Sequence, residues 1–208
     1  MSINRRRAFV PAVLLGLGLL VSACSGSAGD AAVVGTSHVT EATLNTAVSD
    51  VLVAQGYSPD KSDPALLTAT LNWLIVGDLL DQVAADKNIV VTQGAIDRER
   101  AAELKSAGGE EGLKAAYLKQ NIAPNQIQER IRFALMAQLV AKALAPTATA
   151  EEATSALVAA VVAKSTALNP DVNPRFGTWD SQNLQLGAAP SDLSTVLPTP
   201  VPTALPAP

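Results

Sequence analysis

Apolar side chains recur every three or four positions over most of the chain, the spacing that places them on one face of an α-helix. These repeats, together with residues able to begin and end helices, predict six helices: 41–55, 64–86, 93–105, 110–120, 124–143 and 150–166. Helix starts are marked by Asp63 before Pro64 and by Thr149 three residues before Glu152, which forms a capping box. The second helix is apolar on more than one side, so we expect it to lie at the centre of the fold.

The same repeats predict which side chains face the interior. In the fifth helix the predicted inner face comprises Ile127, Ile131, Ala134, Leu135, Gln138 and Leu139. In the sixth helix it comprises Ala153, Leu157, Val158, Val161 and Val162. The apolar residues 89–91, between the second and third helices, are predicted to form a short buried connector. Beyond the last helix, Phe176 and Trp179 are predicted to pin the terminal segment onto the helices.

Short segments rich in β-branched residues lie at both ends of the helical region. Residues 31–35 and 38–40 predict two strands joined by a turn, with Thr40 as the N-cap of the first helix. Residues 172–179 predict a further extended segment, which can pair with the strand that contains Val33. The predicted fold class is therefore mostly α, with about six helices and a small β element formed by segments near both ends.

The first 24 residues have the layout of a secretory signal. Three arginines at 5–7 precede an apolar run over 8–21, which is shorter than the roughly 20 residues of a membrane-spanning helix. Small residues then lead to Cys24, an arrangement that resembles a bacterial lipobox, in which cleavage precedes a cysteine that becomes acylated. The alternative is an ordinary cleaved signal with an incidental cysteine. We expect a covalent lipid at Cys24, which would anchor the protein on the extracytoplasmic face of the bacterial cell membrane.

These features divide the chain into four parts. Residues 1–23 are the predicted signal peptide, 24–30 a flexible tether and 31–186 the helical domain. Residues 187–208 are rich in proline, alanine, threonine and leucine and predict a disordered or polyproline II tail. The signal peptide holds three arginines and no acidic residue, so its removal takes 15 basic residues to 12 against 19 acidic ones, a net charge of −7.

Composition excludes several classes of function. The full chain is 48% hydrophobic, 3% aromatic and 16% charged, and its acidic balance argues against a nucleic-acid partner. With one cysteine and one histidine, it has no disulfide within the chain and no site built from several thiolates or imidazoles. His38 and the charged cluster at 97–100 are interpreted as structural or solvated groups. We therefore expect neither an enzyme nor a cofactor, apart from the covalent lipid at Cys24.

The order of these parts resembles the N-terminal chaperone domain of the SurA and PrsA families of extracytoplasmic chaperones and foldases. The resemblance covers residues 33–180 and rests on the lipobox, the strand–turn entry to the first helix, the Ile-Val-Val-Thr connector at 89–92 and the helix that follows Pro124. Its most specific string is Val-Asn-Pro-Arg-Phe-Gly-Thr-Trp-Asp at 172–180. The resemblance implies a helical domain that binds unfolded polypeptides.

One part of those families is missing here. Many members carry a parvulin prolyl-isomerase domain between the fifth and sixth helices, whereas only residues 146–148 separate the two helices of this chain. A parvulin site uses histidines, and His38 is the one histidine of this sequence. The resemblance therefore implies the chaperone domain without the isomerase activity.

Apolar contact is the remaining chemistry, and a few large side chains can supply it. Trp73 lies one position beside the apolar face of the second helix, and Phe133 and Met136 lie beside that of the fifth. With Tyr57, these residues are the predicted lining of a groove for extended polypeptides, since flexible methionine and aromatic surfaces suit varied partners. The alternative is that they are packing residues of the core.

The expected function is that of a membrane-anchored chaperone that binds unfolded or nascent exported proteins without ATP. The expected partners are these polypeptides and, through the lipid, the membrane. The alternative is a scaffold or adaptor lipoprotein that keeps the fold and recognises one dedicated protein partner. A spread of bound unfolded proteins would favour the first function, and one stoichiometric partner would favour the second.

Lipidation is tested by replacing Cys24 in the full chain. Metabolic labelling with a clickable fatty acid is expected to label the native protein, and Cys24→Ala is expected to abolish the label because no other thiol is present. Ser27→Ala, which alters the tether and keeps the cysteine, is the control and should retain the label. Label that persists in Cys24→Ala would refute the lipid assignment.

Overall fold

The computed structural model describes residues 29–188, and this part of the chain is mostly helical. It contains six α-helices: α1 Glu41–Ala54, α2 Pro64–Asp86, α3 Gln93–Ser106, α4 Glu110–Leu118, α5 Ile127–Leu144 and α6 Ala150–Leu168. Five short strands accompany them: β1 Asp30–Val34, β2 Ser37–Thr40, β3 Asp171–Val172, β4 Thr178–Asp180 and β5 Gln185–Gly187. The predicted fold class, six helices with a small β element from both ends, is confirmed.

The ends of the described region refine two predicted boundaries. Asp30, assigned to the tether, is the first residue of β1, and Gly187, assigned to the tail, is the last residue of β5. The predicted lipid site at Cys24 lies outside the described residues. Within residues 29–188, no helix combines the length and the apolar character needed to cross a membrane.

Side-chain caps explain where the helices begin. Thr40 Oγ1 accepts a hydrogen bond from Thr43 N at 3.0 Å, and Asp63 Oδ1 accepts one from Leu66 N at 3.0 Å. Each bond satisfies a backbone N–H that has no partner within its own helix. The capping box predicted at the start of α6 is also present. The first turn predicted for the fifth helix, Pro124–Gln126, is instead a 3-10 turn, and α5 follows it.

The strands bring the two ends of the described chain together. β1 pairs antiparallel with β2 on one side and with β3 on the other, so the sheet has the order β2-β1-β3. The pairing of Ala32 with Val172 confirms that the C-terminal segment joins the N-terminal strands. A second hairpin, in which Trp179 of β4 pairs with Leu186 of β5, is an element that the sequence did not predict.

The helix α2 lies at the centre of the fold, as its apolar sequence predicts. Leu71, Ile75 and Leu79 are completely buried, and α2 contacts α1, α5, α6, β1 and β5. A second, smaller core joins α3, α4 and α5 through Ile96, Leu113, Ile127 and Ile131. Full burial of one such aliphatic side chain contributes roughly 1.5–3 kcal/mol, so these two cores hold the helices together.

The predicted inner faces of α5 and α6 are partly wrong. Three residues of α5 that were expected inside are exposed: Ala134, Gln138 and Leu139. Met136 and Val140 are buried instead. The buried face shifts along α5 because its first half packs against α3 and its second half packs in the main core beside α2 and α6. In α6, Val158 is 50% exposed, since the inward face of that helix passes through Val161.

The connector between α2 and α3 is not buried as predicted. Val90 is 76% exposed, whereas Ile89 and Val91 are half-buried and pack against the core. This in–out–in order is that of extended backbone, whose successive side chains point to opposite sides. Asn88, two residues after the end of α2, has a left-handed φ of 54° and leads into this extended segment.

Side-chain hydrogen bonds fasten the β4–β5 hairpin to the helices. Trp179 Nε1 donates to Ser165 Oγ of α6 at 2.8 Å, and Ser165 is completely buried. On the other strand, Leu186 N donates to Asn72 Oδ1 of α2 at 2.9 Å. Phe176 and Trp179 also pack against the main core. The prediction that these two aromatic residues pin the terminal segment onto the helices is confirmed.

Replacing Ser165 with alanine is expected to lower the free energy of unfolding by about 1–3 kcal/mol, because the half-buried Trp179 N–H loses its acceptor. Urea unfolding followed by tryptophan fluorescence measures this change. The matched control is Ser155→Ala, on the exposed face of α6, where the hydroxyl donates to a carbonyl of its own helix. We expect less than about 0.5 kcal/mol for the control. Equal losses in the two variants would contradict the assigned role of the Trp179 contact.

Candidate functional site

The predicted binding residues Trp73 and Phe133 meet between α2 and α5. Their ring centroids are 6.2 Å apart, and the Arg130 guanidinium lies 3.7 Å from the centroid of the Trp73 ring. Trp73 Nε1 and Arg130 Nε are both buried without a hydrogen-bond partner, and burial lowers the pKa of Arg130 to about 10. The cation therefore covers one face of the half-buried indole, an arrangement that fits the alternative that Trp73 and Phe133 are packing residues.

The other two predicted binding residues lie in different surroundings. Met136 is 6% exposed and belongs to the main core, so it offers almost no surface to a polypeptide in this structure. Tyr57 is 50% exposed just after the end of α1, and Lys61 Nζ lies 3.4 Å from the centroid of its ring. The structure thus joins Trp73 to Phe133 and places Tyr57 on the loop between α1 and α2.

A charge cluster also links α2 with α5. Both terminal nitrogens of Arg132 donate to the carboxylate of Asp81 at 2.8 Å, and Arg132 Nε donates to Glu129 at 2.8 Å. Asp78, half-buried on α2, has its pKa raised by burial and then by the charge of Asp81, while Arg132 acts in the opposite direction. The Asp81 carboxylate is thus paired with Arg132 across the two helices. The neighbouring Asp78 carboxylate, by contrast, is disfavoured in its ionised form by burial.

An open cleft of about 800 Å³ lies between α1, the loop before α2, the start of α2 and the C-terminal segment. Its floor is apolar and consists of Val48, Leu67, Phe176 and Leu186. Its rim is exposed and polar and includes Asn45, Asp60, Lys61, Ser62 and Arg175. An apolar floor surrounded by a few polar groups is typical of binding sites in proteins.

The cleft continues along α2. A neighbouring depression of about 700 Å³ shares Pro64, Thr68 and Leu186 with it and extends to Asn72 beside β5. Together they form an elongated groove between the first half of α2 and the terminal hairpin. We call this groove, with the floor and rim given above, the α2–β5 groove.

Local sequence explains both walls of the α2–β5 groove. On one side, Gly56, two residues after the end of α1, has a φ of 82°, and the chain there turns into the loop that supplies the rim. On the other side, Gly177 has a φ of 132°, and a Cβ at that position would lie 2.2 Å from the carbonyl oxygen of Gly187. Only glycine therefore allows β4 and β5 to close against each other and carry Leu186 to the floor.

Ring contacts and an ion pair hold the two basic side chains of the rim. The Arg175 guanidinium lies 4.5 Å from the centroid of the Phe176 ring and forms an ion pair with Glu41 of α1. Lys61 lies over the exposed ring of Tyr57. Tyr57, a predicted binding residue, is thus next to the groove through Lys61. The rim presents both signs of charge, since Asp60 lies beside these cations.

Sequence reasoning missed most of this groove. It assigned Phe176 to structural packing, and this residue lines the floor together with Leu67 of α2. The available signal was the loop at residues 57–63, whose single proline and polar residues separate two apolar helices, because loops of this kind often carry binding groups. Leu186 gave no comparable signal, since the hairpin that positions it was itself missed.

The described residues offer little for metal chemistry. Within residues 29–188, no three His, Cys, Asp or Glu side chains are grouped so as to hold a metal ion. His38 Nδ1 lies 2.7 Å from Asp30 Oδ2 across the β1–β2 hairpin, where the contact joins two neighbouring strands. The binding groups of the α2–β5 groove are therefore the apolar floor and the hydrogen-bonding rim.

Replacing Asp78 with asparagine is expected to stabilise the protein at about pH 7, because burial disfavours the ionised carboxylate. The folded-state pKa lies above the ordinary value of 3.8, so native stability from this group is greatest below 3.8 and is lost as the pH rises through the raised pKa. The gain from Asp78→Asn should therefore shrink between about pH 7 and about pH 4 in urea unfolding.

The matched control is Asp81→Asn, which breaks the bidentate pair with Arg132 and should destabilise the protein at neutral pH. A loss of stability in Asp78→Asn at neutral pH would show that its carboxylate makes a favourable contact there.

No family model, curated protein or solved structure matches this chain. The resemblance to the SurA and PrsA chaperone domain therefore remains a prediction carried by the residues quoted for it. The shape and chemistry of the α2–β5 groove determine what this site can bind.

Proposed function

We propose that the protein is a membrane-anchored, extracytoplasmic, chaperone-like lipoprotein that binds unfolded exported polypeptides without ATP or prolyl-isomerase activity. The observation that carries this proposal is the α2–β5 groove, which is long, open, apolar at its floor and polar at its rim. The resemblance to the SurA and PrsA families, stated from the sequence, supports it independently.

The floor of the groove suits segments that a folded protein would bury. Leu67, Phe176 and Leu186 are each only half-buried, so part of their apolar surface stays in contact with water. Covering such surface with a client side chain is favourable by roughly 25 cal/mol per Å². Because the groove is open to solvent, each contact in it can form and break without an energy source. Reversible binding of this kind is what an ATP-independent chaperone requires.

The rim suits extended backbone of varied sequence. An unfolded client carries free N–H and C=O groups along its whole length. Asn45 and Ser62 can donate and accept hydrogen bonds, Lys61 can donate, and Asp60 can accept. Such groups recognise the main chain whatever its side chains are, so the rim adds affinity without demanding one sequence.

The predicted anchor would keep the groove close to the membrane. Cys24 and Gly29 are separated by five Cα–Cα steps, which span at most about 18 Å even when extended. The net charge of −7 gives the mature chain no attraction to an anionic membrane surface, so the lipid would have to supply the attachment. An exported chain would then meet the groove soon after it crosses the membrane.

One observation favours the second candidate function, an adaptor with a single dedicated partner. Arg175 is held by Glu41 and by the Phe176 ring, and Lys61 is held by the Tyr57 ring. Cations fixed in position recognise a defined charge pattern better than mobile ones do. Capture with the lipidated protein separates the functions, since one stoichiometric partner supports the adaptor and a spread of unfolded exported proteins supports the chaperone.

The chaperone function is tested by the aggregation of a denatured model protein. The full chain in detergent is expected to suppress aggregation at molar excess. Thr68→Arg, which adds a long charged side chain where the two parts of the groove meet, should raise the molar ratio required by about tenfold. Ser155→Arg adds the same side chain to the exposed face of α6 and is the control.

Failure of the native chain to suppress aggregation would refute the chaperone proposal. An equal loss in Thr68→Arg and Ser155→Arg would show that clients bind elsewhere than in the α2–β5 groove. Circular dichroism of both variants verifies that they retain the helical fold.

A further inference from the structure

A half-buried cation, Arg130 of α5, lies outside the α2–β5 groove and has no acidic partner among residues 29–188. Its guanidinium carbon Cζ lies 3.7 Å from the centroid of the Trp73 ring. Arg132, two residues further along the same helix, is instead paired with both Asp81 and Glu129. The two arginines therefore differ in one respect that matters for binding, since Arg130 keeps its donors for another acceptor.

The accessible donors of Arg130 lie at one edge of its guanidinium. Its Nε is buried without a hydrogen-bond partner, as is Nε1 of the adjoining Trp73. The two terminal nitrogens make no hydrogen bond to residues 29–188 and are accessible to solvent. Because a guanidinium presents its terminal N–H groups as a planar fork, this edge matches the two oxygens of one carboxylate.

Aromatic packing holds this edge in position. The Trp73 ring covers one face of the guanidinium, and Phe133 packs on Trp73 with ring centroids 6.2 Å apart. Both rings are half-buried. An arginine fixed by such contacts loses less side-chain freedom on binding than a mobile one does. The aromatic residues that the sequence assigned to polypeptide binding thus support a cation.

The surroundings of Arg130 strengthen its attraction for an anion. Burial lowers the pKa of Arg130 to about 10, so the group is still a cation at pH 7 but is less solvated than an exposed arginine. The nearest acidic side chain of that region, Glu103, accepts a hydrogen bond from the Tyr117 hydroxyl at 2.7 Å and makes none with Arg130. Charges attract more strongly where water is partly excluded, so a carboxylate added at this edge would be bound favourably.

We propose that Arg130, stacked on Trp73, binds a carboxylate, with its two terminal nitrogens donating to the two carboxylate oxygens. The carboxylate belongs either to an acidic residue of a bound polypeptide or to a small organic acid, and the chemistry of recognition is the same for both. Trp73, Phe133 and Arg130 are not among the residues that line the α2–β5 groove. The carboxylate site therefore does not depend on the proposed chaperone function.

Binding is tested in the full chain in detergent by NMR of the indole N–H groups, with Trp73→Phe assigning the signals. Glutamate blocked as its N-acetyl methylamide, which carries one carboxylate, is expected to shift the Trp73 signal. It should leave unchanged the signal of Trp179, whose indole is bonded to Ser165. Blocked glutamine, the neutral counterpart, should shift neither signal. Tighter binding of blocked glutamate than of acetate assigns the site to acidic polypeptides, and equal affinity assigns it to small organic acids.

Substitution of Arg130 tests the role of its fork. Arg130→Gln should weaken the binding of blocked glutamate by about tenfold or more, since it removes the charge and the paired donors. Arg130→Lys keeps the charge without the planar fork and should weaken it by about threefold. Arg98→Gln, which removes an exposed arginine of α3, is the matched control and should leave the affinity unchanged. Circular dichroism verifies that all three variants keep the helical fold.

Several results would overturn the carboxylate site. They are an unshifted Trp73 signal in the native chain, an equal response to blocked glutamine, and equal affinities of the native chain and Arg130→Gln. An equal loss in Arg98→Gln would reduce the effect to net charge, and tighter binding of inorganic phosphate would overturn the carboxylate as the ligand. None of these results alters the aggregation assay, so the two proposals fail separately.

Discussion

The burial of α2 on several sides is the constraint on which the rest of this structure depends. Leu71, Ile75 and Leu79 are removed from water completely, and α2 is contacted by α1, α5, α6 and the strands β1, β2 and β5. A helix that is apolar beyond a single stripe cannot lie on a surface, so its neighbours are obliged to surround it. The α2–β5 groove exists because this enclosure is incomplete along the first half of α2, where the hairpin and the loop before α2 approach without closing over Leu67.

Two hydrogen bonds hold the β4–β5 hairpin at a fixed position beside α2 and α6. The indole of Trp179 reaches the buried hydroxyl of Ser165 on one side, and Asn72 holds the backbone of β5 on the other. Polar contacts of this type fix direction as well as distance, unlike the apolar packing beneath them. Asn72 of α2 and Ser165 of α6 therefore fix the position of the hairpin wall of the groove. The apolar floor imposes no such directional requirement on what it contacts.

Local signals predicted the helices, whereas contacts between distant residues determined the site. Asp63, Pro64 and Thr149 act on backbone groups within one turn, so the helix starts could be recognised from sequence. Leu67 and Leu186 are far apart in sequence but line the same cleft, and no local sequence pattern indicates that they share it. Met136 was misplaced because α5 packs on different partners along its length, and the stack of Arg130 on Trp73 joins two helices far apart in sequence.

The short strand β3 also affects how a pulling force would pass through residues 29–188. It pairs with β1, Asn173 N donates to Ala31 O at 3.0 Å, and Phe176 of the groove floor follows three residues later. A chain held at its N-terminus and pulled at Phe176 would carry part of the force through these strand contacts and the ion pair of Arg175 with Glu41. In that direction of pull the shortest paired element is β3, a strand of two residues, whereas the hairpin beyond it is fastened to α2 and α6 through Asn72 and Ser165.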